Sequence, residues 1–250
     1  MKKPEFTIHI LWGGRPHCGF SPEVPGNWPA DHRWVGPEEA DKANCHGCVT
    51  KEILHHRQAV ITGSHVVYKS GKHGEAYINK DALYLSPRDT SRICQMIAEE
   101  FADEGIEVVV GPAVGGVALS QWLAHHLSEL TGREIAAVFA DKEGEGFAIK
   151  RGYGAAVKDK KVLVIEDILT TGGSASETAK AVRESGGEVV AIAAICNRGN
   201  VTAENLGVPK LVSLIDVQLD MWDEDQCLLC RDRVPINTEV GHGAKFLASR

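Results

Sequence analysis

The sequence predicts an α/β fold, a doubly wound and mostly parallel sheet accompanied by a small loop-rich N-terminal module. Three observations carry this expectation. From residue 107 to residue 215, short apolar strands alternate with helical patterns. The strand Val162–Ile165 is apolar at every position, as suits a strand buried on both faces. Residues 1–50 show no sustained helix or strand period and hold six of the ten prolines and three of the five tryptophans.

Taken in order, residues 1–50 form a segment too short for its own core, which must be stapled or docked onto the main domain, 51–250. Glu52–Ile61 reads as a helix. Val66–Lys69 and Ala76–Ile78 read as strands flanking a turn over Ser70–Gly74. Arg88–Glu104 places Ile93, Met96, Ile97 and Phe101 on one helical face and stops at Gly105. The strand Glu107–Val110, the helix Val117–Leu130 and the strand Ile135–Phe139 follow. A glycine- and charge-rich loop spans Asp141–Val157. After Val162–Ile165 come the helix Ser174–Ser185, ended by Gly186 and Gly187, and strands at Val189–Ile195 and Leu211–Ile215.

Composition bounds the function. The 250 residues are 43% hydrophobic and 24% charged, with a formal net charge of -7. A net-acidic chain has no general attraction to nucleic acid or anionic lipid, so neither is an expected partner and any phosphate site must be local. The longest apolar stretches, such as Val189–Cys196, are strand-sized and no membrane span is expected. Phe6–Leu11 is too short and interrupted for a signal segment, which leaves a cytoplasmic setting. There, the odd number of seven cysteines favours thiols or metal over disulfides.

The most informative segment runs from Val162 to Ser174. A buried strand ends in Glu166 and Asp167, and the turn Thr170-Thr171-Gly172-Gly173-Ser174 opens a helix. Backbone N–H groups at a helix start form an anion nest, and glycines let the backbone approach a phosphate. Two carboxylates directly against a phosphate would repel it. They make sense facing the hydroxyls of a sugar that carries the phosphate. No lysine stands in the turn, which excludes a Walker loop, and no Gly-x-Gly-x-x-Gly is present.

This segment resembles the phosphoribosyl-pyrophosphate motif of the type I phosphoribosyltransferases, and its match over residues 51–233 is nearest to the orotate-specific branch. The resemblance implies that Glu166 and Asp167 hold the ribose hydroxyls and that Thr170, Thr171, Gly172, Gly173 and Ser174 cradle the 5′-phosphate. It implies Lys69 on the diphosphate and Tyr77 against the base, both from the hairpin segment, and Arg198 on the base carboxylate. The turn Gly111–Gly116 resembles the pyrophosphate loop, with Gly115 and Gly116 at its end. Many members carry a lysine where Gly115 stands, so diphosphate contacts there are expected from the backbone. Asp141–Tyr153 resembles the catalytic lid, with Lys142, Lys150 and Arg151 as its cations, although Asp141 replaces a basic residue of the longer-lid enzymes. The implied reaction joins orotate to phosphoribosyl pyrophosphate, giving orotidine 5′-monophosphate and pyrophosphate, with Mg2+ on the diphosphate and a homodimer as the working unit. Two alternatives stand beside it, another base as acceptor and a non-catalytic sensor of phosphoribosyl pyrophosphate.

Cysteines form a separate theme. Cys45-His46-Gly47-Cys48, with Cys18 and His9 upstream, is a candidate structural Zn2+ site made of His9, Cys18, Cys45 and Cys48. A second pair, Cys227 and Cys230, lies near the C-terminus, and free thiols in packed turns are the competing reading for both pairs. Cys94 and Cys196 read as core residues, and the remaining histidines as structural or exposed.

Overall fold

The computed structural model describes residues 46–250. The chain enters through α1 (His46–His56), which begins earlier than the expected helix and runs across positions 50 and 51. It does so because Val49, Ile53 and Leu54 share one face and pack on the main core. The segment β1 (Val60–Ile61), β2 (Val66–Val67), β3 (His73–Gly74) and β4 (Tyr77–Ile78) pairs differently from the expected hairpin. β2 pairs with β3, whereas β4 pairs with β1. His73 and Gly74, expected in the turn, are strand residues. A third strand, β11 (Met221–Trp222), covers the other side of β3. That partner comes from the far end of the chain, which no local pattern records.

Then come α2 (Asp81–Tyr84), α3 (Pro87–Glu99), β5 (Val108–Pro112), α4 (Gly115–Thr131), β6 (Ala136–Glu143) and β7 (Gly146–Ala148). They are followed by α5 (Gly154–Val157), β8 (Lys161–Leu169), α6 (Gly173–Glu184), β9 (Glu188–Asn197), α7 (Ala203–Leu206) and β10 (Leu211–Asp216). After β11 the chain closes with α8 (Leu228–Arg231) and α9 (Gly243–Ala248). Ser86 caps α3, its hydroxyl accepting from the Asp89 N–H with Pro87 in the first turn.

The central sheet has the order β10-β9-β8-β5-β6-β7. All neighbours are parallel except β7, which pairs antiparallel with β6. Alternate strand residues feed two cores, one on each face. Val109, Leu163, Ile165 and Ala193 pack with α3 and α4, and Val108, Val110, Val162 and Val164 pack with α6. The sheet is therefore doubly wound, as expected.

The 141–157 stretch departs from expectation. Instead of a loop it forms the β6–β7 hairpin, turning at Gly144 (φ 58°), and then α5. Phe147, Ile149 and Tyr153 pack onto the core cluster of α6, which gives this polar stretch an apolar reason to be ordered. Among the described residues no helix is long and apolar enough to cross a membrane.

Candidate active site

β5 is flanked by β6 on one side and β8 on the other, so the chain reverses its winding direction between β5 and β8. Ligands of open α/β sheets sit beyond the strand C-termini at such a point. Here the turns after β5 and β8 lie side by side. A side chain at Gly115 would collide with the Asp167 carboxylate, and one at Gly111 with the backbone of Gly116. Gly115 and Gly116, expected in the loop, form the first turn of α4.

At the end of β8, Glu166 and Asp167 are both buried. Asp167 accepts from the Ile168 N–H at 2.7 Å and from the Tyr84 hydroxyl at 3.0 Å, and it pairs with Lys80 Nζ at 2.6 Å. Glu166 accepts from the Asp167 N–H at 3.0 Å. Burial, and then the neighbouring Asp167, push the Glu166 carboxyl well above the usual range. Burial of Lys80 opposes its charge, but Asp167 outweighs this and holds the amine above its ordinary value. Burial together with Asp167 raises the Tyr84 phenol, so it stays a donor. Lys80 and Tyr84 are the residues that sequence reasoning missed. Lys80 Nζ lies 3.4 Å from the position a Gly115 side chain would start from. An ammonium from α2's edge thus lies beside the place where the resemblance leads one to expect a lysine, at position 115. The signal was within reach, because Lys80 directly follows Tyr77-Ile78-Asn79.

The turn Thr170–Gly172 leads into α6, and no side chain caps that helix. The Gly173 N–H leans on Thr171 Oγ1 at 3.4 Å, and the N–H groups that follow it in the first turn face the anion position. Gly172 has φ 77°, and a Cβ there would stand 2.7 Å from Leu206 Cδ2. Both facts demand glycine. Thr170, Thr171, Gly173 and Ser174 are exposed around the nest. Arg198, at the end of β9, donates from Nε to Thr170 Oγ1 at 2.9 Å, and its guanidinium lies 5.5 Å from the Tyr68 ring centre. A side chain at Gly199 would collide with the Thr170 carbonyl. The Asn197 side chain fixes this turn through Val201 and Gly199.

The remaining candidates stand apart from these two clusters. Tyr68, rather than Tyr77, packs beside Arg198, and Tyr77 lies in β4. Lys69 is exposed next to Tyr68 at the hairpin tip. The β6–β7 hairpin projects from the same edge of the sheet, since Pro112 pairs with Ala140 at the end of β5. Arg151 donates to both Asp141 oxygens, at 2.9 and 3.1 Å, and lies over Phe139. Lys150 pairs with Glu143 at 2.8 Å, and Lys142 is exposed. His9, Cys18 and Cys45 lie outside the described residues, and Cys48 sits in α1. Cys94 and Cys196 are buried, and burial pushes both thiols up, consistent with inert core residues.

A switch-point crevice with a buried acidic pair and an open helix N-terminus defines a phosphosugar-binding α/β protein. The chain belongs to the phosphoribosyltransferases: the phosphoribosyl transferase domain model matches residues 81–225. Its curated relatives include proteins named orotate phosphoribosyltransferase. One, from Caldicellulosiruptor bescii, is 37% identical over 178 residues, covering 71% of this chain and 88% of the relative. Another, from Thermotoga maritima, is 32% identical over 195 residues, covering 78% of this chain and 99% of the relative. Among solved structures, the orotate phosphoribosyltransferase of Mycobacterium tuberculosis H37Rv in complex with inorganic phosphate aligns at 25% identity. Its TM-score is 0.54, and the alignment covers 68% of this chain and 95% of that one.

Proposed function

We propose that the protein joins orotate to phosphoribosyl pyrophosphate, releasing pyrophosphate and orotidine 5′-monophosphate, as a step of pyrimidine nucleotide synthesis. The observation that carries this reading is the side-by-side placement of the acidic pair, the uncapped α6 N-terminus and Arg198 at one strand-end crevice. The relatives' shared name supports the choice of base.

In this reading the α6 N-terminus and the Thr170–Ser174 turn hold the 5′-phosphate. Asp167 and Glu166 accept from the ribose hydroxyls, which fixes the sugar. The diphosphate then lies toward Gly115, Gly116 and Lys80. As the C1–oxygen bond breaks, the base nitrogen gives up its proton, which the released pyrophosphate or solvent takes, and forms its bond to C1, while negative charge builds on the departing diphosphate. Lys80 stabilises that charge, exchanging part of its pairing with Asp167 for the leaving group. Lys142, Lys150, Arg151 and Lys69, which stand apart from the two clusters, supply further positive charge to the diphosphate in this reading. Arg198 takes the orotate carboxylate in a planar, charge-assisted contact, with Tyr68 packed beside it. No covalent nucleophile is required. The rate comes from positioning, charge stabilisation and exclusion of water.

Magnesium fits this crevice, because Glu166 and Asp167 offer hard oxygen donors beside the place of the diphosphate. When bound, it neutralises diphosphate charge. The protein works as a cytoplasmic homodimer in this proposal, supported by the family resemblance and by the hairpin that projects beyond the sheet edge. The test is a pyrophosphate-release assay with phosphoribosyl pyrophosphate and a panel of bases. Release with orotate alone is the expected result. Release with adenine or uracil in its place would reassign the base, and no release with any base would leave a sensor.

A further inference from the structure

Four side chains unrelated to the crevice meet at one point. His65 Nε2, His73 Nδ1, Cys227 Sγ and Cys230 Sγ all lie within 4.8 Å of one another. Three of the four residues are buried, and Cys230 is half-buried. They come from opposite ends of the described chain. His65 precedes β2 and bridges to Ile236, His73 lies in β3, and Cys227 and Cys230 bracket the start of α8.

We propose that these four atoms bind one zinc ion in a closed, tetrahedral structural site that staples the β2–β3 hairpin to the C-terminal segment.

The three separations that involve sulfur are those of a zinc ligand set, and the two imidazole nitrogens stand closer than one requires. His65 Nε2 and His73 Nδ1 are 2.9 Å apart, Cys230 Sγ is 3.3 Å from His73 Nδ1 and 3.6 Å from His65 Nε2, and Cys227 Sγ is 3.7 Å from His65 Nε2. Zinc bonds of about 2.0–2.1 Å to nitrogen and about 2.3 Å to sulfur place ligand atoms of a tetrahedron roughly 3.3–3.8 Å apart. The outer contact is also in place. His65 Nδ1 lies 2.7 Å from the Val234 carbonyl, so Nδ1 carries the proton and Nε2 turns its lone pair to the cluster. Two thiolates and two imidazoles select zinc over magnesium or calcium, which take oxygen. Without an ion, two imidazole nitrogens and two thiols are left to face one another in a largely buried pocket. The edge of the Phe246 ring, 5.0 Å from the His73 ring, closes the site from α9.

The site also has a consequence. The hairpin it fastens carries Tyr68 and Lys69, and the tail holds it further through Asn237 N to His65 O and His242 N to Val67 O. The metal therefore sets the position of the Tyr68 ring beside Arg198 without touching substrate.

The test uses the full chain purified without added metal. A Cys45→Ser, Cys48→Ser protein removes the N-terminal candidate ligands and leaves this cluster intact. Zinc-edge X-ray absorption on it should report one zinc per chain with two sulfur and two nitrogen neighbours. Absence of zinc, or a shell without two sulfurs, overturns the proposal. A Cys227→Ser, Cys230→Ser protein should lose one equivalent of zinc and exchange its 65–74 amides faster, whereas unchanged zinc content in that variant also overturns it. Should the second variant fail to fold, the first decides.

Discussion

Lys80, Asp167 and Tyr84 form one hydrogen-bonded unit in which a single carboxylate oxygen receives both donors. Lys80→Ala removes the cation nearest the leaving group and leaves Tyr84 on Asp167. Removing one such charge-stabilising donor typically lowers kcat by about 10²–10³-fold, and steady-state kinetics with orotate should show a loss of that order. A change under threefold would place the diphosphate elsewhere. Arg198 binds Thr170, and in the proposed reading it also takes the base carboxylate, so Arg198→Ala should touch both substrates. Losing a charge-assisted contact costs about 1.5–3 kcal/mol, a roughly ten- to hundredfold rise in orotate KM, with a smaller change for phosphoribosyl pyrophosphate. Equal changes for the two substrates would argue that Arg198 only shapes the phosphate turn. Glu166 makes a pH prediction. Burial, and then Asp167, raise its carboxyl in the native state above the ordinary value that it regains on unfolding. Between those two values the native state keeps a proton that the unfolded state has released, so stability falls as pH rises through that window. Glu166→Gln removes this penalty. Melting curves should show no gain over the parent near pH 4, around the ordinary carboxylate range, and a gain of a few degrees at neutral pH. A difference in Tm independent of pH would contradict the assignment.

The β8–α6 junction depends on Gly172 twice, through its left-handed backbone and through the closeness of Leu206. An alanine there pays about 1–2 kcal/mol for the conformation before any clash is counted. Gly172→Ala should lower the Tm by several degrees and raise the KM for phosphoribosyl pyrophosphate more than that for orotate. Calorimetry and kinetics on the same preparation check both halves. The β6–β7 hairpin is built differently from the loop its composition suggests. Asp141 occupies Arg151 and Glu143 occupies Lys150, so two of its three cations are paired with carboxylates of β6. Composition showed the glycines and charges of this stretch. It did not show that Phe147, Ile149 and Tyr153 find an apolar surface around α6, because that surface comes from elsewhere in the chain.

The proposed homodimer gives a complementation experiment. A Lys150→Ala, Arg151→Ala protein lacks lid cations, and an Asp167→Asn protein lacks the ribose carboxylate. Each should be nearly inactive. If the hairpin closes over the neighbouring subunit, mixing them under subunit exchange should restore about a quarter of the parent activity, since half the dimers are mixed and each holds one intact site. Continued inactivity with exchange demonstrated by mass spectrometry would mean that each hairpin serves its own subunit. Much of this architecture was legible beforehand. The alternation of Val162–Ile165 with amphipathic helices set the sheet class, and the acidic pair followed by a hydroxyl-Gly-Gly turn marked the phosphate site. Both signals are local and periodic, which is why they survive in a linear reading.

What a linear reading cannot carry is the meeting of distant residues. Local propensity and pattern along the chain settled where strands start, which faces are apolar and where an anion nest opens. Packing settled which side chains cross the gaps. Tyr84 reaches Asp167 over 83 positions, and His65 reaches Cys227 over 162. The CxxC at Cys227 and Cys230 was visible, but its histidines carry no metal-ligand spacing relative to it. They become partners only because β11 and the Ile236 bridge bring the C-terminal segment back onto the β2–β3 hairpin, a pairing whose free energy comes from long-range burial and backbone hydrogen bonds.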